Sequence, residues 1–199
     1  AGNQGKPSII EGFRIAAPDT LPMKVFRGLP NATSRAPCAL AIGNFDGVHR
    51  GHQAMLALLQ SEARHRNVAS CVMTFEPHPR DYFAVSRQQP ELAPARIGTL
   101  RDKLTDLAHC GVDQTVVLPF DARLARQPAE DFIEQVLLRG LGVRYVLVGD
   151  DFRFGAKRAG DYTMLDAAGE AGADEQDGVL APVGGVDEPQ VELVPAPFL

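Results

Sequence analysis

His49 and His52 stand three residues apart in Gly43-Asn44-Phe45-Asp46-Gly47-Val48-His49-Arg50-Gly51-His52, a segment that leaves an apolar run and opens a helical one. Residues three apart at a helix start lie on one side of it, so both imidazoles can donate to a shared anion. Glycines at 43, 47 and 51 let the backbone approach a ligand closely, and a helix start presents unpaired N–H groups. That combination suits a phosphate. It is neither a G-x-x-x-x-G-K-[S/T] loop, because no Lys follows the glycines, nor a dinucleotide G-x-G-x-x-G turn. A zinc site on the histidine pair needs two more ligands; Asp46 and Cys38 are available, but at no standard spacing. Phosphate binding, zinc binding and purely structural histidines all stay open on residue type alone.

Two further polar segments also follow apolar runs directly: Glu76-Pro77-His78-Pro79-Arg80 and Gly149-Asp150-Asp151-Phe152-Arg153-Phe154-Gly155. The elements that must position them are legible. Short apolar runs at 38–42, 69–75, 115–118 and 145–148 read as strands. A helix is expected over 51–66, with Met55, Leu58, Leu59 and Ala63 at helical spacing and Asn67 as its stop. Thr99 with Asp102 forms a capping pattern before Leu100, Leu104 and Leu107, and Gly111 ends that helix. Pro128 suits a third first turn, with Glu130 and Asp131 at the positive dipole end and Gly140 closing it. Strands and helices alternate, and the strands are apolar throughout. This predicts an α/β fold: a parallel sheet with helices on both faces. Ligands of such sheets bind beyond the carboxyl ends of the strands, so the three polar segments are expected to meet at one edge.

The chain has 199 residues, 45% hydrophobic and 23% charged, enough for one domain with a single core. No stretch approaches the ~20 apolar residues of a membrane span, and Glu11 and Arg14 interrupt the apolar stretch that a secretory leader would need. Cys38, Cys71 and Cys110 form no C-x-x-C pair, which points to inert thiols in a reducing cytoplasm. A net charge of −5 gives no reason to expect a nucleic-acid partner. That charge is divided unevenly. Residues 23–169 hold 18 Lys/Arg against 16 Asp/Glu, whereas 170–199 hold seven acids and no base. The expected organisation is an N-terminal extension over 1–22, a working domain over 23–169 and an acidic, Gly/Pro-rich tail over 170–199, with one further strand conceivable at 177–183. His78 is open to a structural role between its prolines. His65 and His109 read as helix-end dipole partners, and Asp121 and Arg123 as a surface turn.

The segment 43–52 resembles the signature of nucleotidylyltransferases in the bacterial FAD synthetase family, whose FMN adenylyltransferase module usually precedes a riboflavin kinase module. The likeness continues through Phe75-Glu76-Pro77-His78-Pro79, Thr99-Leu100-Arg101-Asp102-Lys103, Phe120-Asp121, Ala129-Glu130-Asp131-Phe132 and Val148 to Gly155, and covers about residues 23–169. It implies a Rossmann-like nucleotidylyltransferase fold and Mg²⁺-dependent transfer of AMP from ATP to FMN, giving FAD and pyrophosphate. ATP and FMN are then the partners, with the Mg²⁺ carried mainly by ATP phosphates and no protein metal ligand. By the same resemblance His49 and His52 hold the α and β phosphates. Gly43, Asn44, Phe45, Asp46 and Gly51 cradle the nucleotide, and Arg153, beside Lys157 and Arg158, attracts polyphosphate. Pro77 and Pro79 wall the flavin, with Asp151 and Phe152 near it.

Members of this family carry a Ser/Thr-rich motif ending in Arg after the module's last strand. Here no Ser or Thr follows Thr163, and no Lys or Arg follows Arg158. The kinase module has no counterpart, so riboflavin phosphorylation is not expected. Two readings follow: an FMN adenylyltransferase, or a remnant that binds ATP or FMN without turnover.

Overall fold

The computed structural model describes residues 13–15, 22–149 and 151–172. The strand considered at 177–183 and most of the acidic segment lie outside them. Six strands form one sheet: β1 (Phe13–Ile15), β2 (Met23–Arg27), β3 (Cys38–Ile42), β4 (Ala69–Glu76), β5 (Gln114–Pro119) and β6 (Val143–Leu147). Their order across the sheet is β1-β2-β5-β4-β3-β6. The five from β2 to β6 are mutually parallel, and β1 adds to the β2 edge antiparallel. From β3 the chain steps to β4 and then β5 on one side, and returns to lay β6 on the other side of β3. That reversal is the switch point at which an open α/β sheet parts its flanking layers.

Helices cover both faces, as the strand pattern predicts. On one face α1 (Arg50–His65) and α3 (Leu100–His109) bury Leu56, Leu59, Ala63, Leu107 and Ala108 against Ala39, Ala41, Val72 and Leu147. On the other, α5 packs Phe132, Ile133, Val136, Leu137 and Leu141 onto Leu40, Ile42, Met73 and Val116, joined by Leu165 of α6 (Tyr162–Gly172). Helix α5 opens at Ala129–Asp131 and continues with π-type hydrogen bonding through Phe132–Leu141. Its buried positions accordingly recur every four to five residues. All five residues of β3 are buried, since neighbours lie on both sides and helices on both faces.

Several details differ from the sequence expectation. The inward stripe of α1 is Leu56, Leu59 and Ala63, with Met55 partly buried, while Leu58 is 46% exposed. Gly140 does not end α5; the terminator is Gly142, whose φ of 63° is the left-handed conformation that a helix end needs. Helices α2 (Pro79–Ser86) and α4 (Ala122–Arg126) also form where none was foreseen. Thr99 and Asp102 form the expected reciprocal cap of α3, and Asn67 and Gly111 take positive φ after α1 and α3. His65 and His109 sit in last turns as expected. Cys38 and Cys71 are buried and free; Cys38 beside Cys71, together with burial, pushes the Cys71 thiol well up, and burial pushes Cys110 up. Thiolate is therefore scarce at both. Among the described residues no helix is long and apolar enough to cross a membrane.

Replacing Leu59 with Ala should lower stability by ~2–5 kcal/mol through lost burial and a residual cavity. Leu58→Ala should stay within about 0.5 kcal/mol. Urea unfolding of the two variants checks the assignment; equal losses would contradict it.

Candidate functional site

The turn after β3 is held from below. Phe45 adopts φ 48° and is 1% exposed, so its ring is packed under the turn and tilts against His52 with centroids 4.9 Å apart. A buried aromatic in the left-handed region is costly unless its surroundings fix it. For a nucleotide, Phe45 therefore offers backbone only; its ring supports His52. Gly47 has φ +66°, and a Cβ there would come within 2.9 Å of Ile97. Gly51, in the first turn of α1, leaves room for the His49 ring, which a Cβ would meet at 3.2 Å. Gly43 ends the strand, donating its N–H to Met73 O at 3.1 Å.

His49 is the N-cap of α1: its Nδ1 accepts from the His52 N–H at 3.3 Å. His52 Nδ1 lies 3.1 Å from Gly47 O. These partners assign opposite tautomers, because an accepting Nδ1 leaves the hydrogen on Nε2 of His49, and an Nδ1–H donor leaves Nε2 of His52 as a lone pair. The rings stack 3.7 Å apart at 21°. Burial lowers the His52 pKa, and His49 and Lys103 lower it further against the raising effect of the Gly47 carbonyl. The first turn of α1 holds no acid, so its N–H groups and positive dipole end are unopposed.

Two ties join this turn to distant chain, and a third fixes the segment beside it. Both Asp46 oxygens accept from the Ile97 N–H at 3.3 Å. Thr74 Oγ1 donates to Asn44 O at 3.0 Å and accepts from Lys103 Nζ at 3.2 Å. Arg96 grips Asp81 through Nε and one terminal nitrogen (2.8 and 2.7 Å), and reaches Glu76 at 3.5 Å. The Glu76–Pro77 peptide is cis. His78 is buried and caps α2, its Nδ1 accepting from the Arg80 N–H at 3.0 Å. Its pKa is lowered by burial and Arg96. The structure thus gives His78 the structural role considered for it, and Asp121 proves to be the N-cap of α4, accepting from Arg123 and Leu124 N–H groups.

Of the residues singled out in the sequence, the structure gathers Gly43, Asn44, Phe45, Asp46, His49, Gly51 and His52 around one turn. Pro77, exposed, and Pro79, the first residue of α2, lie beside it across β4. Tyr82, Phe83, Phe75 and Phe120 form an edge-to-face aromatic group there, with Phe83 38% exposed. The third segment leaves β6 next to β3, whose Ala41 pairs with Leu147. Its contacts, however, run to α5. Phe152 stacks on Phe154, Phe154 packs on Phe132, and Ala156 N–H donates to Gln127 O. Asp151 is exposed, and Arg153 folds back onto its own chain, donating to Phe152 O at 3.0 Å. Asp150 lies outside the described residues. Among those residues, no group of three or more His, Cys, Asp or Glu side chains is arranged to hold a metal.

Sequence reasoning gave Lys103 no role, and it is the most unusual residue here: an ammonium 4% exposed. Position 103 continues the stripe of Leu100 and Leu107, which is the signal that its side chain turns inward.

An open parallel sheet with a glycine-bearing turn, a helix N-terminus and stacked histidines beside its switch point is an α/β architecture of the nucleotidylyltransferase-fold type. The chain belongs to the FAD synthetase family, whose model matches residues 31–179. It is 51% identical over 150 residues to the bifunctional riboflavin kinase/FMN adenylyltransferase of Escherichia coli K12, covering 74% of this chain and 46% of that protein. The Pseudomonas fluorescens protein of the same name is 46% identical over 148 residues, again with 74% and 46% covered. The chain thus spans about half the length of the curated relatives it matches. A solved macrolide-efflux protein from Streptococcus pneumoniae shares the fold, with a TM-score of 0.59 at 21% identity, over 73% of this chain and 46% of that one.

The lowered pKa values of His52 and His78 set a pH dependence. Each folded-state value lies below the unfolded one of ~6.5, so the unfolded chain binds more protons between them. Stability should therefore fall as pH drops through about 6.5 towards the folded values. Urea midpoints at about pH 7.5 and about pH 5.5 test this: His52→Gln combined with His78→Asn should flatten the difference, and an unchanged slope would refute it.

Proposed function

We propose that this chain is an FMN adenylyltransferase, transferring AMP from ATP to FMN to give FAD and pyrophosphate. The carrying observation is the histidine pair at the start of α1. Both Nδ1 atoms are committed to the chain, and both Nε2 atoms lack a protein partner among the described residues. In this reading a phosphate oxygen of FMN attacks the α-phosphorus in line. The bond from that phosphorus to the bridging oxygen breaks, and pyrophosphate leaves with the electron pair. No covalent intermediate or strong base is required, so catalysis rests on alignment and on countering charge over the phosphoryl oxygens.

His49 Nε2–H donates to the triphosphate directly. His52 donates once protonated, and the incoming anion favours that protonation. The α1 N–H groups and the backbone of Gly43 to Asp46 receive the nucleotide. Pro77, Pro79 and the exposed edge of Phe83 offer a rigid apolar wall to a planar flavin, with Asp151 and Phe152 approaching from the β6 side. Arg153 joins by swinging off the Phe152 carbonyl. Mg²⁺ would be held by the ATP phosphates rather than by side chains and would supply neutralisation of their charge. Asp46 is the carboxylate of the turn, but its oxygens face the Ile97 N–H, so the described residues supply no protein cage. The adenylyltransferase unit in this reading is residues 23–169.

Incubation with FMN, ATP and Mg²⁺, following FAD and pyrophosphate together, tests the assignment. FAD formation is expected, and His49→Ala and His52→Ala should each lower kcat by roughly 10²-fold with little change in FMN affinity. Binding of ATP or FMN without product would replace this reading by the binding-only one.

A further inference from the structure

Lys103 has three N–H donors and, among the described residues, one hydrogen-bond acceptor, the neutral Thr74 hydroxyl at 3.2 Å. That hydroxyl spends its own hydrogen on Asn44 O, so it meets the ammonium with a lone pair. Among the described residues no carboxylate forms an ion pair with Lys103. The two acids that influence it are engaged elsewhere, Asp46 by the Ile97 N–H and Glu76 by Arg96. A buried ammonium with one neutral acceptor is an expensive arrangement in a folded chain. Its other influential neighbour, Arg96, adds like charge, and Lys103 in turn acts on His52 and His78. The wall behind the histidines therefore carries a positive charge that no ion pair among the described residues neutralises.

We propose that Lys103 is the positioning residue of the phosphate site: its ammonium fixes the Asn44 turn through Thr74 and supplies the buried charge that a bound polyphosphate neutralises. This rests on the reading of the site given above. Burial and Arg96 hold the Lys103 pKa below its ordinary value, and a polyanion close by restores it. Between those two values binding takes up a proton, so affinity falls as pH rises through the free-protein value. The titratable and charged groups facing Lys103 are His52, His78, Asp46, Glu76 and Arg96; the two imidazoles, whose values are lowered, are neutral in that alkaline window and add no uptake there.

Calorimetric titration of the full chain with tripolyphosphate, in two buffers of different ionisation heat, reads affinity and proton uptake together. Wild type should bind at about pH 7 and take up a fraction of a proton at about pH 10, above the last ionisation of the free ligand. Lys103→Met should bind ~10- to 30-fold more weakly at neutral pH and show no alkaline uptake. Its unfolding midpoint should be unchanged or higher, because a buried charge is gone. Lys103→Gln serves the same test if the Met variant does not fold. Unaltered affinity and uptake in the variant, or a wild type with no uptake, overturns the proposal. FAD synthesis is scored separately. Tripolyphosphate binding with uptake but no FAD sinks the adenylyltransferase reading and leaves Lys103 its role. FAD synthesis that Lys103→Met leaves intact does the reverse.

Discussion

Five parallel strands leave the chain little choice about where chemistry can be done. Each strand must be re-entered from the same end, so every strand-to-helix turn is delivered to the other. The chain then reverses direction across β3, and the layers above and below diverge where β3 and β6 end. Gly43 and Gly149 leave the sheet from adjacent strands at that gap. Everything else about the site is a matter of which side chains the turns carry there, and the all-buried β3 is the rail that fixes their level.

Within the gap the chain arranges charge by withholding partners. Carboxylates are occupied: Asp46 by a backbone N–H, Asp81 and Glu76 by Arg96. Cations and donors are left over among the described residues: the His49 Nε2–H, the α1 N-terminus and two of the three Lys103 N–H groups. With these acids each held by a donor, although Asp81 Oδ1 is buried without a partner among the described residues, and the neighbouring bases left short, the gap is polarised towards an anion before one arrives. The Arg96 grip also ties the 93–99 segment to the start of α2, so the acids cannot swing to quench the neighbouring cations.

Much of this was legible in the sequence. Strands such as Cys38–Ile42 announce themselves because burial on both faces removes alternation, and α1 and α3 carry their own start and stop signals. The glycine and histidine spacing marked the turn between β3 and α1. Other elements were hidden for physical reasons. Helix α2 begins at Pro79 behind a histidine cap, and its Tyr82, Phe83 and Val85 follow no clean helical period, since aromatic contacts outside the core hold them. Gly140 and Gly142 are indistinguishable by type; only the π-type winding of α5 decides which one turns left-handed. The ties that set the site join residues 29 to 51 positions apart, Lys103 to Thr74, Thr74 to Asn44 and Ile97 to Asp46. No local pattern encodes such pairings. Phe45 was read as part of a ligand cradle because its position in the motif is visible and its burial is not.

The left-handed backbone at Phe45 has a thermodynamic consequence. A turn that folds only around its ligand charges the ordering entropy to the binding event and buries new apolar surface of its own. Here the awkward conformation is settled during folding, by a ring sealed beneath the turn. Ligand capture then asks for no local refolding. Its heat-capacity signature should be small, limited to surface that the ligand itself covers. The molecule meets its ligand as a mould already set, and the cost of shaping it is carried by the global stability of the sheet.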